Sequence, residues 1–175
     1  MKKAAFLDRD GVINKKAPDD EYILRREDLE ILPRVAEAIT LLNHADFLVV
    51  VVTNQRCVAR GLLTIRGLEE IHNELRNELA AAGARIDAIY YCPHGSDMSC
   101  DCRKPAPGML LAASRELEID LQNSWMIGDT ASDIAAGKSA DCKTVLISAA
   151  GENQARADVT ADSLFSAVKL LLSTA

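Results

Sequence analysis

The apolar run Ala4-Ala5-Phe6-Leu7 stops abruptly at Asp8-Arg9-Asp10-Gly11-Val12. Such a run is long enough for one buried strand and too short for a helix. On a strand, residues i and i+2 share a face, so Asp8 and Asp10 are expected on one side and Arg9 on the other. Gly11 then lets the chain turn off the sheet. Two carboxylates this close repel unless a cation sits between them or one keeps its proton. The carboxyl end of a parallel strand is where α/β proteins place their ligands. Two descriptions fit these residues. One is an active site in which one carboxylate attacks phosphorus while the other handles a proton and helps hold Mg²⁺. The other is a strand running into a solvated acidic turn.

The same pattern recurs along the chain. Pro33 suits a first helical turn, and Val35, Ile39 and Leu42 follow at helical spacing, predicting a helix over 33–43. Phe47 to Val52 is a continuous β-branched run, the mark of a strand buried on both faces. It ends in Thr53-Asn54-Gln55, side chains that serve equally as phosphate-binding donors and as turn formers. Thr64 is a natural N-cap for an amphipathic helix carrying Leu68, Ile71, Leu75 and Leu79, with Gly83 placed to end it. His72 lies beside that apolar stripe and reads as structural. Ile86–Tyr91 is a third strand, Pro107–Leu117 a helix, and Ser124–Ile127 a fourth strand ending in Gly128-Asp129-Thr130. A carboxylate at Asp129 would complete a metal cage with Asp8 and Asp10, whereas Asp133 suits a cap or a loop brace. A fifth strand spans Lys143–Ile147, a short extended piece falls within 155–162, and a closing helix covers Leu164–Leu172.

Strands and helices alternate, and each polar cluster falls at a strand's carboxyl end. The expected fold is therefore a doubly wound parallel sheet, three layers α/β/α, in a single domain over residues 1–175. Ile13 to Glu30 is a polar interruption with four basic residues and the apolar knot Tyr22-Ile23-Leu24. It is a loop or small hairpin over the end of strand one, either a substrate-selecting lid or a plain surface connection.

A net charge of −6 argues against a general nucleic-acid surface and requires any phosphorylated ligand to find a local basic pocket. No apolar run approaches the ~20 residues of a membrane span. The N-terminus reaches acidic residues too early for a signal peptide, so a cytoplasmic chain with reduced thiols is expected; a monomer is expected as well. Three of the five cysteines and one histidine fall together as Cys92-x-His94-x5-Cys100-x-Cys102. That spacing supplies the full tetrahedral set for a structural Zn²⁺, pinning a loop over 92–102 that has too little apolar content to fold alone. Arg103 and Lys104 follow at once, a fork and a point charge suited to phosphate, or otherwise a solvated basic pair.

Taken together, Asp8-Arg9-Asp10-Gly11-Val12, Thr53-Asn54-Gln55, Arg103-Lys104-Pro105 and Gly128-Asp129 with Asp133 resemble the four signature motifs of the haloacid dehalogenase (HAD) phosphatase superfamily, in order and over nearly the whole chain. The zinc loop is similar to that of the heptose bisphosphatase and histidinol-phosphate phosphatase group. The resemblance implies a Rossmann-like HAD fold without a large cap domain. It implies Asp8 as nucleophile and Asp10 as proton donor and then base, with a pKa raised by its carboxylate neighbour. Mg²⁺ would be held by Asp8, the Asp10 carbonyl and Asp129. Thr53, Asn54, Gln55 and Lys104 would bind the transferring phosphoryl group, and Arg103 the substrate. Cys92, His94, Cys100 and Cys102 would hold Zn²⁺. The implied substrate is a small phosphorylated sugar, most simply a heptose bisphosphate of surface-polysaccharide synthesis, with histidinol phosphate as the alternative. From another class, the pattern also suits a catalytically inactive zinc-binding interaction module. Three departures stand out. Arg56-Cys57 replaces the common Ser-Gly, Thr130 replaces a common Lys, and the zinc loop between His94 and Cys100 is short. Arg56 is a candidate for the cation that Thr130 does not provide.

Overall fold

A computed structural model of the chain describes residues 1–18, 21–148 and 155–173. Six strands form one sheet: β1 (Lys3–Leu7), β2 (Phe47–Asn54), β3 (Ala88–Cys92), β4 (Trp125–Gly128), β5 (Lys143–Ile147) and β6 (Val159–Ala161). Every pairing is parallel, and the order is β3-β2-β1-β4-β5-β6. The chain builds outward from β1 to β3, then returns to β1's other side to lay down β4. That reversal puts the topological switch point between β1 and β4, where open α/β sheets bind ligands.

Among the described residues five α-helices cover the faces: α1 (Val35–His44), α2 (Ile65–Ala81), α3 (Gly108–Leu117), α4 (Ala131–Ser139) and α5 (Leu164–Ser173). The twofold alternation of the strands sorts the core into two layers. Ala5, Leu7, Val49, Val51 and Ile127 pack with residues of α1, α2 and α5. Ala4, Phe6, Val50, Val52 and Met126 pack on the other face with α3 and α4. Strands apolar on both faces thus become the middle of an α/β/α sandwich, as their sequence predicts.

Local signals act as expected. Thr64 accepts a 3.0 Å bond from Gly67 N at the start of α2. At its end Gly83 has φ +82°, and Ala84 N reaches back to Leu79 O at 2.9 Å, the closure of a Schellman turn. Between β1 and α1 the chain forms a pinned loop: Lys15 N bonds Glu30 O and Leu32 N bonds Ile13 O. The stretch read as a lid therefore has a hairpin-like base, although Asp19 and Asp20 within it lie outside the described residues. Among the described residues no helix is long and apolar enough to cross a membrane.

Candidate active site

Leu7 pairs with Val51 on one side and Ile127 on the other, so β1 and β4 end within a residue of each other while β2 runs on to Asn54. The last residues of β2 and the residues just past the ends of β1, β2 and β4, together with the loop after β3, line a pocket of about 600 Å³. Asp8, Asp10, Thr53, Asn54, Gln55, Arg103 and Lys104 all line it.

Asp8, Asp129 and Asp133 converge, with one carboxylate oxygen from each lying within 4.8 Å of the others. Burial pushes the Asp8 carboxyl up to about 7; Lys104 opposes the shift, while Asp133 and Asp10 add to it. Asp129 is also raised, first by burial, with Asp133 adding and Lys16 opposing. Its Oδ1 is buried and has no hydrogen-bond partner among the described residues. Gly11 comes so close that a Cβ there would stand 2.3 Å from Asp129 Oδ2, and its φ of +91° already requires glycine. Three oxygen donors around an orphaned buried oxygen fit a hard divalent cation such as Mg²⁺.

Asp10 does not join that triad. Sheet alternation ends at Leu7, so Arg9 does not point away but folds back onto Asp10. Its Nη2 lies 3.1 Å from both Asp10 oxygens and its Nε 3.3 Å from Oδ1. Asn14 Nδ2 and Gln55 Nε2 also donate to Asp10, at 2.9 and 3.0 Å. Burial alone would raise the Asp10 pKa, but Arg9 and these donors outweigh it and hold the carboxyl below its ordinary value. The expectation of a raised Asp10 is corrected: a buried guanidinium in contact outweighs the neighbouring carboxylate.

Lys104 is almost wholly buried. Its ammonium donates to Asp8 Oδ1 at 2.8 Å and Val52 O at 2.8 Å, and pairs as an ion with Asp133 Oδ1 at 2.5 Å. Burial would lower its pKa, but the two carboxylates raise it. Asn54 holds the same residue by its backbone, donating to Lys104 O at 3.0 Å and accepting from Lys104 N at 3.1 Å. Thr53 Oγ1 accepts from Gln55 Nε2 at 2.9 Å. Asp133 both braces Lys104 and caps α4, accepting from Thr130 N at 3.0 Å and Thr130 Oγ1 at 2.6 Å.

Cys92 ends β3 beside Asn54, and its loop closes on it. Cys92 Sγ lies 3.1 Å from Cys102 Sγ and 3.7 Å from Cys100 Sγ, and His94 Nδ1 lies 3.3 Å from Cys102 Sγ. Zn–S bonds of tetrahedral zinc set sulfurs about 3.8 Å apart, so three thiols and an imidazole here form a nearly closed cage for a soft or borderline ion. Arg103 Nη1 donates to His94 O at 3.1 Å, tying the basic pair to the cage.

Residues 101–167 match the HAD-hydrolase-like family. The D-glycero-beta-D-manno-heptose-1,7-bisphosphate 7-phosphatase of Pseudomonas aeruginosa is 43% identical over 142 residues, covering 81% of this chain and 79% of that protein. The D-glycero-alpha-D-manno-heptose-1,7-bisphosphate 7-phosphatase of Campylobacter jejuni is 39% identical over 145 residues, covering 83% and 81%. A crystal structure of the D,D-heptose 1,7-bisphosphate phosphatase from B. bronchiseptica, complexed with magnesium and phosphate, superposes with a TM-score of 0.90 at 34% identity over 99% of both chains. The chain belongs to the HAD-like heptose bisphosphate phosphatase family.

Within that family frame, Lys16 escaped the sequence reading, and two residues it did name, Arg56 and Asp133, take fuller places in the pocket. Lys16 Nζ lies 3.4 Å from Asp129 Oδ2, so the cation beside Asp129 comes from the loop after β1. Arg56 instead bonds Tyr22 Oη, which Arg60 also contacts at 3.0 Å. Asp133 was assigned only as a brace, yet it also completes the carboxylate triad. The four basic residues of the 13–30 stretch were the available signal for Lys16; nothing local marks which of them turns inward.

Proposed function

We propose that the chain is a Mg²⁺-dependent phosphatase that removes one phosphate from a heptose bisphosphate through an aspartyl-phosphate on Asp8. The observation that carries this is the Asp8–Asp129–Asp133 triad at the β1/β4 switch point, with a buried Asp129 oxygen lacking a partner and Lys104 against Asp8. Asp8, Asp129 and the Asp10 carbonyl would hold the ion. When bound, it supplies the positive charge that lets an anionic carboxylate approach an anionic phosphate.

Asp8 attacks phosphorus, a P–O bond forms to its carboxylate, and the bond to the sugar oxygen breaks with that electron pair leaving on oxygen. Asp10, ionised at rest, takes up a proton from solvent as the anionic substrate crowds it and gives that proton to this oxygen. Water then attacks the acyl phosphate, Asp10 takes the water's proton, and inorganic phosphate departs. The ionised Asp10 held by Arg9, Asn14 and Gln55 is the form the second step needs. Thr53, Asn54, Gln55 and Lys104 hold the transferring group, and Arg103, Lys16 and Arg56 give the pocket rim the positive charge a second phosphate requires. Cys92, His94, Cys100 and Cys102 would hold a Zn²⁺, which would keep Arg103 and Lys104 in place. A cytoplasmic monomer with reduced thiols goes with this reading, as all five cysteines are free.

Phosphate release from both anomers of D-glycero-D-manno-heptose 1,7-bisphosphate, from histidinol phosphate and from simple phosphomonoesters tests the proposal, with Asp8→Asn as control. Turnover of a heptose bisphosphate that needs Mg²⁺ and is lost in Asp8→Asn is expected. No release from any of them would leave a binding module instead.

A further inference from the structure

His72 stands on α2, contributes no atom to the pocket and is only 3% exposed. Its ring is tilted against Tyr91 at 5.6 Å, and its Nε2 lies 3.2 Å from Arg9 Nη1. A guanidinium has donors and no acceptor, so Nε2 must be the acceptor and any ring proton must sit on Nδ1. The other side of the same guanidinium, Nε and Nη2, grips Asp10. Arg9 is itself 1% exposed, so it is a buried planar fork held at one end by a histidine and closed at the other on a carboxylate.

We infer that His72 is a positioning residue for the phosphatase reaction: acting through Arg9, it fixes the direction in which the Asp10 carboxylate faces the leaving oxygen and the attacking water. This rests on the role proposed for Asp10. Arginine has several rotatable bonds, and without an anchor on Nη1 the fork is free to slide along Asp10. Asn14 and Gln55 each offer Asp10 one further donor, which locates the carboxylate but leaves the twist of the Arg9 pair to His72. A proton-transfer group displaced by a fraction of an ångström loses much of its effect, because reaction needs a near-attack geometry. His72 suits the task chemically. Burial first, then the charges of Arg9 and Arg76, push its pKa down to about 3, so it stays a neutral acceptor at assay pH.

The test compares wild type, His72→Gln and His72→Leu on the phosphomonoester that wild type hydrolyses fastest, alone and in the Asp10→Asn background. Gln places an acceptor oxygen close to where Nε2 stood, whereas Leu fills the space without one. For His72→Leu, kcat is expected to fall about tenfold with KM within about twofold, and His72→Gln to recover most of the loss. In Asp10→Asn, adding His72→Leu should cost nothing further, because the group it positions has gone. Circular dichroism melts confirm that the compared proteins are folded at assay temperature. Equal losses in Leu and Gln variants, or the same fold loss with and without Asp10, would mean that His72 only supports the fold and would overturn the inference alone. If wild type releases phosphate from no substrate, the proposed function fails, and this inference with it.

Discussion

Lys104 Nζ lies 2.8 Å from Asp8 Oδ1 although 96 positions separate the two residues. The pair joins the loop after β3 to the end of β1 inside the carboxylate cluster. It balances charge where Asp8 and Asp133 would otherwise be buried side by side, and it aims Lys104 at the group proposed to attack phosphorus.

Replacing Lys104 by Met should therefore cost both stability and activity. Removing one partner of a buried ion pair leaves the other charge uncompensated, a loss of about 3 kcal/mol. Urea unfolding at pH 7 should show it, together with a fall of at least about 100-fold in kcat. Arginine should not rescue, because a planar fork cannot reproduce a compact ammonium that donates to Asp8 and Val52 O while pairing with Asp133. A Met variant with wild-type stability would contradict this account of the cluster.

Mg²⁺ should raise the thermal midpoint of the chain by linkage. At about 100 times its Kd the gain is roughly 2.7 kcal/mol, or about 5–10 °C at this size. In Asp129→Asn, which weakens the triad, the gain should shrink to near zero. A shift unchanged in that variant would place the cation elsewhere.

Purified protein should carry about one zinc per chain. Cys102→Ser should lose the metal. It should also reduce turnover, because residue 102 adjoins Arg103 and Lys104 and the Arg103 side chain is tied to His94 O. Elemental analysis alongside kinetics checks both; full activity in a zinc-free variant would uncouple the cage from the site.

Arg56, bonded to Tyr22 Oη, lines the pocket where the family commonly has a small residue. Arg56→Ala should raise KM for a bisphosphate about tenfold and for a monophosphate much less. Equal, small effects on both would show that Arg56 does not meet the second phosphate.

His72 also gives a pH signature independent of catalysis. Its folded pKa, about 3, lies below the ordinary value of 6.5. As pH falls below 6.5 the unfolded chain binds a proton that the native chain refuses, so stability drops by about 1.4 kcal/mol per pH unit. Above that pH the difference vanishes. Wild type should therefore lose about 2 kcal/mol more than His72→Gln between pH 7.5 and pH 5 in denaturant titrations. Parallel losses would show that His72 is protonated in the fold.

Much of this architecture follows from local pattern. Runs such as Phe47–Val52 and Lys143–Ile147 can only be buried strands. The spacing of Cys92, His94, Cys100 and Cys102 announces a cage, because four soft ligands among polar residues have few other uses. Thr64 and Gly83 mark the ends of α2 through backbone chemistry that acts within a few residues. The error came where regular structure stopped. Asp10 and Arg9 lie beyond the last strand residue, so the twofold rule that sends neighbours to opposite faces no longer held, and a salt bridge set the geometry instead.

The sequence by itself determined the alternation of strands and helices, the positions of the acidic turns and the cysteine–histidine cage, since each depends on residues close in the chain. Only the tertiary structure decided that β4 returns beside β1, and with it that Asp129 and Asp133 meet Asp8. It also decided that Lys16 turns towards Asp129 and that His72 reaches Arg9. Those contacts join residues up to 125 positions apart, and their partners are selected by strand order and burial of charge, which no local periodicity encodes.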